Sequence, residues 1–227
     1  WSDLRRRMQP TDRRCFAFFH PAMPDEPLIF VEVALTKGVP GSIQKVLADG
    51  RDVLDADKAD TAVFYSISNC QAGLAGISFG NSLIKQVVDD LSRQLPGLKT
   101  FVTLSPIPGL AAWAKDMGIE ETVTPDNLQS LAAHYLLNAK RDDGAPRDPV
   151  ARFHLGNGAM VHAVHVKADT SESGQVQSYG AMVNYLYDLS ANAQNHEGFA
   201  DSFAVAASTD VKALARAAKK NDTKGTI

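Results

Sequence analysis

A chain of 227 residues, 44% hydrophobic and 22% charged, has an ordinary globular composition and the length of one large domain. Its formal net charge of -3 points to neither nucleic acid nor an anionic membrane as a partner. Two cysteines, Cys15 and Cys70, are too few for a disulfide framework, and no apolar run approaches the roughly 18 residues of a membrane span.

Cys15-Phe-Ala-Phe-Phe19 is a compact apolar run that His20-Pro21 breaks, and Leu28 to Leu35 is rich in β-branched residues, so two strands are expected. Pro40-Gly41 makes a turn, and Ser42 is placed to cap a short helix ending near Ala48. Asp49 to Asp60 is polar and reads as a surface loop; Ala62 to Ser68 reads as a strand buried on both faces. A glycine-rich stretch comes next, Gln71 to Gly80. Beyond it Leu83, Ile84, Val87, Val88, Leu91 and Leu95 recur at helical spacing until Pro96-Gly97 stops them. Thr100 to Leu104 is a further strand, and a short helix is expected from Leu110 to Met117 and a longer one from Asp126 to Lys140. Arg141 to Pro149 is a polar connector. Val150 to Leu155 and Ala159 to Val166 read as strands around Gly156-Asn157-Gly158, whose residues tolerate the positive φ of a hairpin turn. Ser178 to Tyr187 fits strand or helix, and Thr209 to Lys220 has the pattern of a basic amphipathic helix. The order predicts an α+β protein with a mixed, largely antiparallel sheet flanked by helices.

Chemistry has few places to sit. Strand, glycine loop and helix together offer backbone N–H groups to a phosphate, yet neither G-x-G-x-x-G nor Gly-Lys-Ser/Thr is present, and a plain flexible connection fits as well. Gly76-Ile-Ser78-Phe-Gly80 matches the G-x-S-x-G elbow of serine hydrolases. That elbow needs its serine at a strand's end, and the strand stops near Ser68. Ser105 stands where a buried strand ends, with Pro106 and Pro108 stiffening the chain just after it; a serine opening a turn is the plainer reading. His154, read on a strand, shares a face with Arg152, and most such histidines are hydrogen-bonded core residues. His162 and His165 lie three apart, which on a strand sends the rings to opposite faces, so no metal site is expected. Tyr185 and Tyr187 share a face if their segment is extended.

Taken together, several strings carry a resemblance. Cys15-Phe-Ala-Phe-Phe-His-Pro, Glu26-Pro-Leu-Ile-Phe-Val-Glu-Val-Ala-Leu-Thr, Val63-Phe-Tyr-Ser-Ile-Ser and Gln71-Ala-Gly-Leu-Ala-Gly resemble segments of malonyl-CoA decarboxylases. So do Phe79-Gly-Asn-Ser-Leu-Ile-Lys, Leu104-Ser-Pro-Ile-Pro-Gly, Val150-Ala-Arg-Phe-His-Leu-Gly-Asn-Gly-Ala and Met182-Val-Asn-Tyr-Leu-Tyr, in family order. The resemblance implies a GNAT-like catalytic domain over residues 1–227, with a C-terminal helix near 209–220. It also implies conversion of malonyl-CoA to acetyl-CoA and CO2 through a thioester enolate, without cofactor. On the family's strings the catalytic serine and histidine are Ser105 and His154; Ser105 would position the carboxylate and His154 protonate C2. The CoA loop and pocket would use Gly73, Gly76, Ser78, Gly80 and Tyr187. The usual acetyltransferase loop, Gln/Arg-x-x-Gly-x-Gly/Ala, falls on Ala75, Ser78 and Gly80, and only the last conforms. Some family members carry a glutamate where this chain has Ser78. The resemblance also implies an N-terminal helical domain used for oligomerisation, which this chain would lack if, as its Trp1-Ser-Asp start suggests, it is a fragment. A cytoplasmic location and a homo-oligomer are the accompanying expectations. An N-acetyltransferase of the same fold and an acyl-CoA thioesterase are the alternatives.

Overall fold

The computed structural model describes residues 5, 7–71, 73 and 80–222. The chain divides into two compact units, Trp1–Thr103 and Leu104–Ile227.

In the first unit β1 (Arg13–His20) and β2 (Met23–Thr36) form an antiparallel hairpin, and β3 (Thr61–Asn69) adds antiparallel to β2. Ile29, Val31, Val33 and Leu35 alternate inward along β2 and are buried, the period-two pattern that the sequence displays. β3 is buried on both faces from Thr61 to Phe64 and becomes progressively exposed toward Asn69. β4 (Thr100–Thr103) pairs parallel with β3, which requires a crossover, and α2 (Gly80–Gln94) lies in that crossover. Ile84, Val87, Val88 and Leu91 form its buried stripe, each side chain worth about 1.5–3 kcal/mol of transfer from water. Before it, α1 (Ile43–Leu47) is capped by Ser42, whose hydroxyl accepts from the Lys45 N–H at 3.5 Å. The loop from Asp49 to Asp60 holds a single 3-10 turn at Ala56–Lys58.

In the second unit β5 (Ser105–Pro106) and β6 (Met160–His165) both pair antiparallel with β7 (Met182–Leu186). The helices are α3 (Leu110–Asp116), α4 (Leu128–Asn138), α5 (Pro149–Gly156), α6 (Glu172–Ser178), α7 (Asn192–Ser202) and α8 (Thr209–Asp222). α4 and α8 pack on each other, with Leu131, Ala132, Tyr135 and Leu136 buried on one and Val211, Ala215 and Ala218 on the other.

Three expectations are overturned in this unit. Val150 to Leu155 is the body of α5, not a strand. Its buried residues Ala151, His154 and Leu155 sit at i, i+3 and i+4, the helical period. Asp148 caps it by accepting from the Ala151 N–H at 2.9 Å, and Pro149 takes the first turn, where its missing N–H is harmless. Gly156-Asn157-Gly158 is accordingly a helix terminus and not a hairpin turn. The Asn157 and Gly158 N–H groups bond back to the carbonyls of His154 and Leu155, and Gly158 has φ +80°. Left-handed backbone suits both roles, so the composition could not separate them. The strand after it is found at Met160–His165, with an irregularity between Val161 and Ala163 that leaves His162 unpaired with β7. Alternation therefore fails at His162, and the opposite-face argument for His162 and His165 fails with it. Burial lowers the His162 pKa, and nearby His165 lowers it further.

Candidate functional site

β7 is the scaffold. It pairs with β5 so that Ser105 lies opposite Val183, it carries Tyr185, and Tyr187 stands just past its end. α5 supplies His154 near its C-terminus. These elements place the His154 ring between two hydroxyls: Nε2 is 3.2 Å from Ser105 Oγ and Nδ1 is 2.8 Å from Tyr187 Oη. Tyr185 stacks on the imidazole at 4.6 Å, and Phe153 meets it edge-on at 5.0 Å. The cluster is buried, with Ser105, His154 and Tyr187 exposed by only 6%, 4% and 5%.

Burial decides the charge state. Burial draws the His154 pKa down to about 3, and the ring is neutral near pH 7. Burial moves Tyr187 the other way, well above the ordinary phenol range, so its hydroxyl keeps its proton. The neutral state has a stability consequence. Unfolded, His154 takes a proton below pH ~6.5, whereas folded it does so only near pH 3. Its contribution is therefore complete above the unfolded pKa and lost as pH falls between the two values, at ~1.4 kcal/mol per unit. The imidazole nitrogen resonances of His154 are expected not to titrate between pH 5 and 9.

Of the residues singled out in the sequence, Ser105, His154 and Tyr187 come together. Gly73 is exposed, with open space where a side chain would stand, and Gly80 opens α2. Gly76 and Ser78 lie outside the described residues. At the loop's start, the Gln71 amide donates to Glu26 and to the Pro27 carbonyl at 3.3 Å. Among the described residues, no group of three His, Cys, Asp or Glu is placed to hold a metal ion. None of the described helices is long and apolar enough to cross a membrane.

Sequence reasoning passed over Asp148. It lies in the polar connector, is 1% exposed, and receives Gly109 N–H and Tyr135 O–H as well as Ala151 N–H. The Asp-Pro pair, an N-cap with proline at the first helical position, was the available signal.

The family model for the malonyl-CoA decarboxylase C-terminal domain matches residues 1–127 and 111–225. The mitochondrial malonyl-CoA decarboxylase of Anser anser anser is 36% identical over 259 residues, covering 93% of this chain and 51% of that protein. The chain thus spans about half the length of the curated relatives it matches. The crystal structure of malonyl-CoA decarboxylase from Agrobacterium vitis is 50% identical with a TM-score of 0.88, covering 94% of this chain and 60% of that one. A GNAT-like decarboxylase solved with isobutyryl-CoA, 21% identical with a TM-score of 0.57, covers 83% of this chain and 84% of its own, and shows that the fold is GNAT-like. With a family model running nearly end to end and a serine–histidine pair in contact on two of the family-like strings, the chain belongs to the malonyl-CoA decarboxylase family.

Proposed function

We propose that this chain decarboxylates malonyl-CoA to acetyl-CoA and CO2 at the buried Tyr187–His154–Ser105 chain. The observation carrying this reading is a neutral, desolvated imidazole held between two hydroxyls. The names of the relatives supply the substrate.

The reaction breaks the bond between C2 and the carboxylate carbon. Its electron pair stays on C2, delocalised into the thioester as an enolate, while CO2 leaves and one proton is taken up. No electrons leave the substrate, so the balance calls for no redox partner. A protonated Tyr187 donates to Nδ1, which fixes the tautomer with hydrogen on Nε2. Nε2–H then donates to Ser105 Oγ, and the seryl proton is turned toward the substrate carboxylate. Neutral histidine serves as electrophile and proton donor in other enolate-forming sites. As charge builds on C2, the Nε2 proton passes to it and Tyr187 supplies Nδ1; a proton taken up at Nε2 after product leaves then lets Nδ1 return its own to the phenolate, restoring the starting tautomer. Because the Tyr187 pKa is raised, the phenolate is short-lived. Surroundings this buried also disfavour the malonyl carboxylate relative to uncharged CO2.

A thioesterase or an N-acetyltransferase would need His154 as a base toward serine or an amine. Such a base works best with a pKa near the working pH, and burial, which lowers the His154 pKa, weakens it in that role. The deciding experiment is incubation with malonyl-CoA while following CO2, acetyl-CoA and free thiol. CO2 matched by acetyl-CoA without free thiol supports the proposal; free thiol with malonate would replace it by hydrolysis. Tyr187→Phe is expected to lower kcat by about 10²-fold or more, within the range that a proton-transfer group contributes. KM should change little, since the ring still fills its place.

A further inference from the structure

The proposed chemistry uses Ser105 and His154 but does not explain what holds them 3.2 Å apart, since they come from a two-residue strand and a short helix. We propose that Asp148 is a positioning residue whose single carboxylate ties the Ser105 loop to the helix that carries His154. This rests on the proposed decarboxylation at the Ser105–His154 pair.

One oxygen serves the helix: Oδ1 accepts from Ala151 N–H at 2.9 Å, one turn before His154. The other serves the loop: Oδ2 accepts from Gly109 N–H at 3.4 Å and from Tyr135 Oη at 3.4 Å. Gly109 closes the Ser105-Pro-Ile-Pro-Gly string, and the two prolines between fix their φ angles, so a displacement of Gly109 is passed back to Ser105. The fit around Gly109 leaves no slack. A Cβ there would overlap the Tyr135 hydroxyl and lie 3.6 Å from Asp148 Oδ2.

Capping alone does not call for a carboxylate at this depth. Serine caps helices about as well as aspartate, and burial of Asp148 raises its pKa against the backbone N–H groups that lower it. What serine lacks is the second oxygen and the reach to Gly109. An acidic group that is costly to bury is explained when both of its oxygens bind parts of the site.

The test compares Asp148→Ser with the wild-type chain. Serine keeps the cap and drops the bridge, so the thermal midpoint should stay above that of Asp148→Ala. Meanwhile kcat for malonyl-CoA should fall by about 10- to 100-fold, the scale of a misplacement near 1 Å, with KM nearly constant. The His154 Nε2 resonance should shift as its contact with Ser105 lengthens. Wild-type kcat and an unshifted resonance in Asp148→Ser would reduce Asp148 to a helix cap and overturn the proposal. If wild type releases no CO2, the functional reading fails by itself, and the Nε2 resonance still decides whether Asp148 positions the pair. Should Asp148→Ser fail to fold, Asp148→Asn preserves volume and cap but turns an N–H toward the Gly109 N–H. The same loss of kcat and the same resonance shift are then expected, and their absence would overturn the proposal equally.

Discussion

Replacing His154 with alanine is expected to lower malonyl-CoA turnover by about 10²- to 10⁴-fold, the usual contribution of a positioned acid–base group. Affinity for an unreactive acyl-CoA should be largely kept. Alanine alone is an ambiguous test, because it also opens a cavity under the stacked Tyr185 ring and removes one partner from each of the Tyr187 and Ser105 hydroxyls. His154→Gln separates the two effects. Its amide can accept from Tyr187 and donate toward Ser105 while filling similar space, yet it cannot pass a proton along. Equal inactivation by both substitutions, with calorimetric binding of the unreactive ligand intact, is the outcome that proton delivery requires. Near-normal turnover in His154→Gln would mean that the imidazole only orients Ser105, and another proton source would have to be found.

Legibility in the sequence tracked the strength of each local pattern. The α2 stripe from Leu83 to Leu95 repeats over three turns and allows one interpretation, and the alternation of Ile29, Val31, Val33 and Leu35 is equally direct. α5 is ambiguous because it is eight residues long, with apolar Val150 and Phe153 next to its buried positions. In so short an apolar run, period two and period 3.6 cannot be told apart, and the Asp148-Pro149 boundary was the better guide. α6 and α7 went unnoticed for a related reason. Each is polar along most of its length, and Ser171 before Glu172 is the one cap signal at α6. The site itself is not a local pattern at all. Ser105 lies 49 positions from His154, and His154 lies 33 from Tyr187, so no spacing rule joins them. Similarity of the strings to a family singles out all three residues, although period-two reading of the same segment puts His154 on a strand. Asp148 belonged to none of those strings, and only the folded chain brings it against Gly109 and Tyr135.

Ser105→Ala is expected to cost about 10²-fold in kcat, the scale of a reacting group misplaced by near 1 Å, because the carboxylate loses the donor that orients it. The β5–β7 pairing runs through the backbone of Ser105 and Val183, so the strand should survive the change. Stability should fall by about 1–3 kcal/mol, because a buried N–H on His154 loses its acceptor. A smaller loss than at His154 is the mark of a donor, since other groups can still hold the carboxylate. A nucleophile would behave differently, and Ser105→Cys exposes that difference. If Ser105 attacked the thioester, the cysteine variant would form an acyl-enzyme, release free CoA thiol and show the added mass on the intact protein. If Ser105 donates to the carboxylate, the weaker S–H donor should leave a slow decarboxylase that still yields acetyl-CoA, with neither free thiol nor adduct. A stable adduct on the cysteine would transfer the site to acyl transfer and remove the enolate from the reaction.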